Sequence, residues 1–155
     1  MTRRAAAIAA LAVMLAGSAA RADFADGAKA YDGGDYGRAF AAWITLARDG
    51  DAEAQVAIAG MYRFGEGQRI DLTEAARWYR RAADLGEPIA QLNLGEMYLL
   101  GLGVPRDPVR AHLFLTLATR QGRAWARDRL GALARAMTAG QRELARELLR
   151  DWAAR

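Results

Sequence analysis

The chain has 155 residues, with 22 lysines and arginines against 18 aspartates and glutamates, one histidine and no cysteine. The missing cysteine excludes disulfides, thiol nucleophiles and thiolate metal sites, and a lone histidine excludes a zinc site built on paired histidines. The formal charge of +4 would suggest an anionic partner only if it sat in the folded part, and its distribution argues otherwise.

Residues 1–22 read as a leader. Arg3 and Arg4 form a short basic start, and Ala5 to Gly17 is an alanine-dominated apolar run with Ile8, Leu11, Val13, Met14 and Leu15. Ala20-Arg21-Ala22 has the A-x-A form of a cleavage site, so a secretory signal peptide is expected, cut between Ala22 and Asp23. The run is too short for an ordinary membrane span. Cleavage removes Arg3, Arg4 and Arg21, leaving 19 basic against 18 acidic residues. High precursor basicity is therefore no sign of nucleic acid, and neither nucleic acid nor stable membrane insertion is expected. Ser18, the one serine, falls in the leader, so the remainder lacks a serine nucleophile. Residues 23–155 are enough for one domain, expected in the periplasm or secreted.

From there the pattern is helical throughout. Asp35-Tyr36-Gly37-Arg38-Ala39 opens a helix that closes after Leu46, Ala47 and Gly50. Tyr31 lies only four residues before Asp35, so this first hairpin, about 23–50, has a short turn. Residues near 52–63 carry Ala54, Ile58, Ala59 and Tyr62 at helical spacing, followed by Gly65-x-Gly67. Asp71-Leu72-Thr73-Glu74 then resembles a capping box, and Ala75, Ala76, Trp78, Tyr79, Ala82 and Ala83 recur until Gly86 stops the helix. The unit from 87 to 122 repeats this: Ala90, Leu94, Gly95 and Tyr98 near 88–99, then Gly101-x-Gly103. Asp107-Pro108 follows as N-cap and first helical residue, with Ala111, Leu113, Phe114, Leu117 and Ala118 before Gly122. In the last unit, 123–155, Ala126, Leu130 and Gly131 keep the phase. Thr138-Ala139-Gly140-Gln141 reads as a capping box for a final helix. Leu144, Leu148, Leu149 and Trp152 give that helix an apolar stripe, and Arg142, Glu143, Arg146, Glu147, Arg150 and Asp151 a solvated face.

A shift of 36 residues superposes Ala54-Gln55 on Ala90-Gln91, Tyr62 on Tyr98, Gly65 on Gly101, Asp71 on Asp107, Trp78 on Phe114 and Gly86 on Gly122. Such a period marks stacked supersecondary units, none able to bury its apolar face alone. The expected fold is an all-α solenoid of about four helix hairpins closed by a C-terminal capping helix.

These residues resemble the Sel1-like repeat family, a relative of the tetratricopeptide repeat. Ala90, Leu94, Gly95, Tyr98, Gly101, Gly103, Val104 and Asp107 carry its first-helix and loop pattern, and Ala75, Trp78, Tyr79, Ala82, Ala83 and Gly86 its second-helix pattern. Ala59, Gln68 and Leu115 depart from it conservatively. The resemblance is strong over 51–122. Some cysteine-rich members of the family are linked to β-lactam binding or hydrolysis, and this chain lacks their cysteines.

The resemblance implies a protein or peptide partner held on the concave face lined by the first helix of each hairpin. The candidate groove residues are Val56, Arg63, Ile89, Leu92, Glu96 and Leu99. Ile89, Leu92 and Leu99 would supply apolar contact, with Arg63 and Glu96 setting orientation. No cofactor, metal or catalytic residue is expected, and the chain reads as a non-enzyme. A carboxylate-dependent enzyme acting on cell-wall material, with Glu96 as acid or base, and a regulatory subunit of an envelope enzyme stay open as alternatives. His112, early in a helix beside Leu113-Phe114, reads as a packed or half-exposed helix residue. The Gly-x-Gly pairs read as helix ends and tight turns rather than phosphate loops. Trp43, Trp78, Tyr79 and Phe114 read as core.

Overall fold

The computed structural model describes residues 21–154 apart from Arg123, and the side chains of Ala124 and Trp125 lie outside it. Most of the expected leader therefore falls outside the described residues. Eight helices follow one another: α1 (residues 21–32), α2 (Tyr36–Arg48), α3 (Ala52–Phe64), α4 (Leu72–Asp84), α5 (Pro88–Leu100), α6 (Pro108–Arg120), α7 (Ala124–Ala136) and α8 (Ala139–Ala153), with no strand among the described residues. Among the described residues, helix α1 already includes Arg21 and Ala22, upstream of the expected cleavage point. Its Phe24 lies downstream of that point, stacks on Trp43 with centroids 5.5 Å apart and accepts a 3.1 Å hydrogen bond from Trp43 Nε1.

Acidic caps start most helices. Asp35, Asp51, Asp71 and Asp107 each accept a backbone N–H from the first turn of α2, α3, α4 and α6, and Glu87 does the same for α5. This satisfies donors that a helix leaves without partners. Thr138 and Gln141 form the expected reciprocal box at α8. The box expected at Asp71-x-x-Glu74 is half made. The Asp71 backbone N–H donates instead to the Tyr62 carbonyl at 2.9 Å, and the Glu74 carboxylate pairs with Arg77. A bond between the two helices of the hairpin has displaced the local one.

The first helices α1, α3, α5 and α7 run side by side and are linked by side chains. Tyr31 reaches Glu66, Arg63 reaches Asn93 and Glu96, and Arg129 reaches Glu96. The second helices form the other layer, where Arg80 of α4 lies over Phe114 of α6 and Phe114 meets Trp152 of α8 edge-on. Alanine dominates the seam. Ala39, Ala54, Ala59, Ala75, Ala82, Ala83, Ala90, Ala111 and Ala118 have no exposed surface. At Gly95 a Cβ would sit 3.0 Å from the Leu115 side chain, so α5 and α6 meet about as closely as two helices can.

The 36-residue period is literal in the bonding. Asp71 N donates to Tyr62 O and Asp107 N to Tyr98 O, both at 2.9 Å. Gln55 Nε2 donates to Ala47 O at 3.0 Å and Gln91 Nε2 to Ala83 O at 3.4 Å. The second glycine of each Gly-x-Gly pair presses on the first residue of the preceding second helix. A Cβ at Gly67 would meet the Tyr36 backbone at 2.9 Å, and one at Gly103 the Leu72 carbonyl at 2.1 Å. Both glycines also have positive φ, so the loop needs glycine twice over.

The last helix departs from expectation in two ways. Its contact side is Ala145, Leu148, Leu149 and Trp152, while Leu144 is 48% exposed. Arg142 is not part of a purely solvated row. Its guanidinium donates to the Ala134 and Met137 carbonyls, capping the C-terminal end of α7. A long side chain one turn into α8 can fold back over the turn and satisfy those acceptors. Arg146 and Arg150 both pair with Glu143 on the surface, in keeping with a solvated face.

Candidate functional site

The groove candidates divide into three groups. Ile89 is exposed, and Val56, Arg63 and Leu99 are half-buried. Leu92 and Glu96 are buried, at 5% and 8% exposure, and cannot present themselves to a partner as expected. The cause is the central place of α5, where eight of 13 residues are buried. Neighbours on both sides cover positions that a two-helix reading leaves free.

Glu96 sits in the middle of this cover. Its carboxylate receives Arg63 of α3 at 3.7 Å and Arg129 of α7 at 3.2 Å, so one buried anion ties three first helices together. Arg63 also donates to Asn93 Oδ1 at 2.5 Å, and Asn93 donates back to the Ile89 carbonyl. Arg63 and Glu96 thus orient each other. The result is a rigid polar band across the face, and Glu96 is no freely accessible acid or base.

Beside the band lies a hollow of about 270 Å³, lined by Tyr31, Trp43, Val56, Ala57, Gly60, Met61, Phe64, Glu66 and Tyr79. Val56 is the only expected groove residue in it. Glu66 Oε2 accepts a 2.6 Å hydrogen bond from the Tyr31 hydroxyl. That bond, followed by partial burial and the charge of Glu66, pushes the Tyr31 phenol up to about 12. Tyr79 is raised chiefly by burial, an effect nearby Arg63 partly offsets. Phe64 at the mouth is 63% exposed, and its counterpart one repeat on, Leu100, is 56% exposed. Each lies just before the glycine that ends its helix. Their shared register was the signal that the sequence reading passed over. Glu66, between two glycines, carried no signal of its own.

The remaining residues of interest have structural surroundings. His112 is half-buried, and burial, then Arg146, holds its imidazole below the ordinary value. Gly65 and Gly101 are left-handed C-caps. Trp43, Trp78, Tyr79 and Phe114 are buried in the core. Among the described residues no group of three histidines, cysteines or carboxylates is placed to hold a metal, and no helix is long and apolar enough to cross a membrane.

Two layers of antiparallel hairpins, locked by recurrent bonds at one period, define a helical-repeat scaffold of the solenoid class. Residues 52–87 and 88–122 match the Sel1 repeat family model. Among curated proteins it is 43% identical over 58 residues to HRD3A of Arabidopsis thaliana, a component of an ERAD-associated E3 ubiquitin-protein ligase. That match spans 37% of this chain and 9% of HRD3A. It is 35% identical over 91 residues to chitin synthase regulatory factor 3 of Schizosaccharomyces pombe, across 57% of this chain and 10% of that protein. Among solved structures, a protective antigen of uropathogenic Escherichia coli displaying an SLR fold superposes with a TM-score of 0.80 at 29% identity. It covers 86% of this chain and 29% of the antigen. A Sel1 repeat protein from Oxalobacter formigenes gives 0.67 at 30% identity, over 71% of this chain and 45% of that one. The chain thus spans about a tenth of these curated relatives and less than half of each solved structure.

Proposed function

We propose that this chain is a non-catalytic scaffold that binds a protein or peptide through the concave face formed by α1, α3, α5 and α7. The observation carrying this is the pair Phe64 and Leu100, large apolar side chains left exposed at the same repeat position on one face. Exposed apolar residues in register, beside a rigid polar band, are what a docking surface needs and a lone folded unit does not. Two curated relatives are named as a ligase component and a regulatory factor, and a regulatory subunit is the form of this reading closest to them. The enzyme alternative loses its leading residue, because Glu96 is enclosed by two guanidinium groups. The leader pattern supports export, with the scaffold working in the bacterial envelope and cleaved between Ala22 and Asp23. N-terminal sequencing of the protein from a periplasmic fraction tests that.

The binding reading is tested by in-cell crosslinking of the parent beside a Phe64→Asp, Ile89→Asp, Leu100→Asp variant with helicity checked. Loss of one specific partner in the variant supports the face. Equal capture by both forms moves the interface elsewhere.

A further inference from the structure

We infer that the hollow between α1, α3 and the Glu66 loop is a seat for one cationic side chain, a lysine or arginine, of the bound partner. This rests on the scaffold reading and specifies what it recognises. Four aromatic residues, Tyr31, Trp43, Phe64 and Tyr79, line the hollow together with the Glu66 carboxylate. Ring faces carry negative potential and attract cations, most strongly where water is partly excluded.

Glu66 decides the sign. Its hydrogen bond comes from a neutral phenol, which leaves the full negative charge in place. Among the described residues no cation stands within ion-pair distance of it: Arg63, at the rim against the Tyr79 hydroxyl and the Phe64 ring, has its charge paired with Glu96. Asp32 adds a second negative charge near Tyr31. An apolar guest would strip water from Glu66 with nothing in return, and an anionic guest would be repelled. A cation gains the carboxylate and the rings together. The protein already uses the same attraction internally, for the Arg63 guanidinium carbon lies 5.3 Å from the Phe64 ring centre. Room for the guest comes from Gly60. A Cβ there would have only the Tyr79 hydroxyl, at 3.9 Å, within 4 Å.

The test is a titration of the full chain with Nα-acetyl-arginine methylamide, its lysine analogue and the uncharged arginine isostere Nα-acetyl-citrulline methylamide. Binding is followed by the NMR shift of the Trp43 indole N–H. The expected result is saturable millimolar binding of both cations, at least about fivefold weaker for citrulline. Glu66→Gln is expected to remove that difference. Gly60→Leu, which fills the hollow, keeps the charge and suits a helix better than glycine, is expected to abolish binding of both cations. Equal binding of citrulline, indifference to Glu66→Gln, or no saturable shift overturns the inference. The crosslinking experiment separates the two levels. If the partner is still captured through Phe64 and Leu100 by the Glu66→Gln variant as by the parent, the seat is wrong and the scaffold stands. If the cations bind as described and no partner is captured, the scaffold reading fails, and with it the assignment of the seated cation to a partner.

Discussion

Replacing Leu85 by glutamine is expected to make the protein more stable, although Leu85 lies in a well-formed repeat. Gln55 Oε1 is the one buried side-chain oxygen or nitrogen without a hydrogen-bond partner among the described residues. Its counterpart, Gln91 Oε1, is satisfied by Gln121 Nε2 at 2.9 Å, and the same amide also donates to the Gly86 carbonyl at 3.0 Å. One period earlier Leu85 stands where Gln121 stands. Its backbone is closely similar, with φ −82° and ψ 0° against −92° and 19°. Leu85 is 60% exposed, so little apolar burial is lost on substitution. A glutamine there reaches Gln55 Oε1 and the Gly50 carbonyl. An unmet buried acceptor costs about 1–3 kcal/mol. Ordering the new side chain takes back up to about 1–1.5 kcal/mol. The expected net gain is about 1 kcal/mol, or roughly 3 °C in Tm for a chain of this size. The reciprocal change, Gln121→Leu, should cost about 1–2 kcal/mol by leaving Gln91 Oε1 in the state Gln55 occupies now. Urea and thermal unfolding followed by circular dichroism measure both. If Leu85→Gln is neutral or destabilising while Gln121→Leu costs the predicted amount, the equivalence of the two junctions is wrong.

Gly103→Ala should cost at least about 3 kcal/mol, since it adds a 2.1 Å clash with the Leu72 carbonyl to the cost of positive φ. Gly86→Ala, with positive φ and open space, should cost only about 1 kcal/mol, and equal losses in urea unfolding would contradict the loop packing. Thr138→Ala should remove about 1 kcal/mol by opening the capping box of α8, read in the same assay. Two titrations bear on stability with opposite signs. His112 has its folded value lowered, so its contribution is present above the ordinary histidine value of 6.5 and is lost as pH falls below it. His112→Gln should flatten the acid limb of a Tm-against-pH curve below about pH 6.5. Tyr31 is raised to about 12, so its contribution is present below 10 and lost as pH climbs from 10 through 12. In Glu66→Gln its ultraviolet titration should return toward the ordinary range near 10.

The helices and their period were legible because their signals are local. An aspartate cap, alanines at three and four residues and a closing glycine are fixed by the helix itself, and the same letters return 36 positions later. Whatever depends on two neighbours at once was not legible. Leu92 and Glu96 read as groove residues on α5 considered with its own hairpin, but both are buried, and Arg63 of α3 and Arg129 of α7 close over Glu96 from either side. Glu74 matched a local capping rule and lost its partner N–H to the Tyr62 carbonyl, which belongs to another helix. Arg142 matched a solvent stripe and instead spans the turn to α7, because an arginine is long enough to ignore the face on which its Cα lies. The exposed register of Phe64 and Leu100 was written in the sequence, yet it means exposure only once the C-terminal turn of each first helix is known to project past its neighbours. A solenoid makes this general. Its fold is a property of one repeat and can be read from one repeat, whereas its binding face is made by consecutive first helices and exists only between repeats.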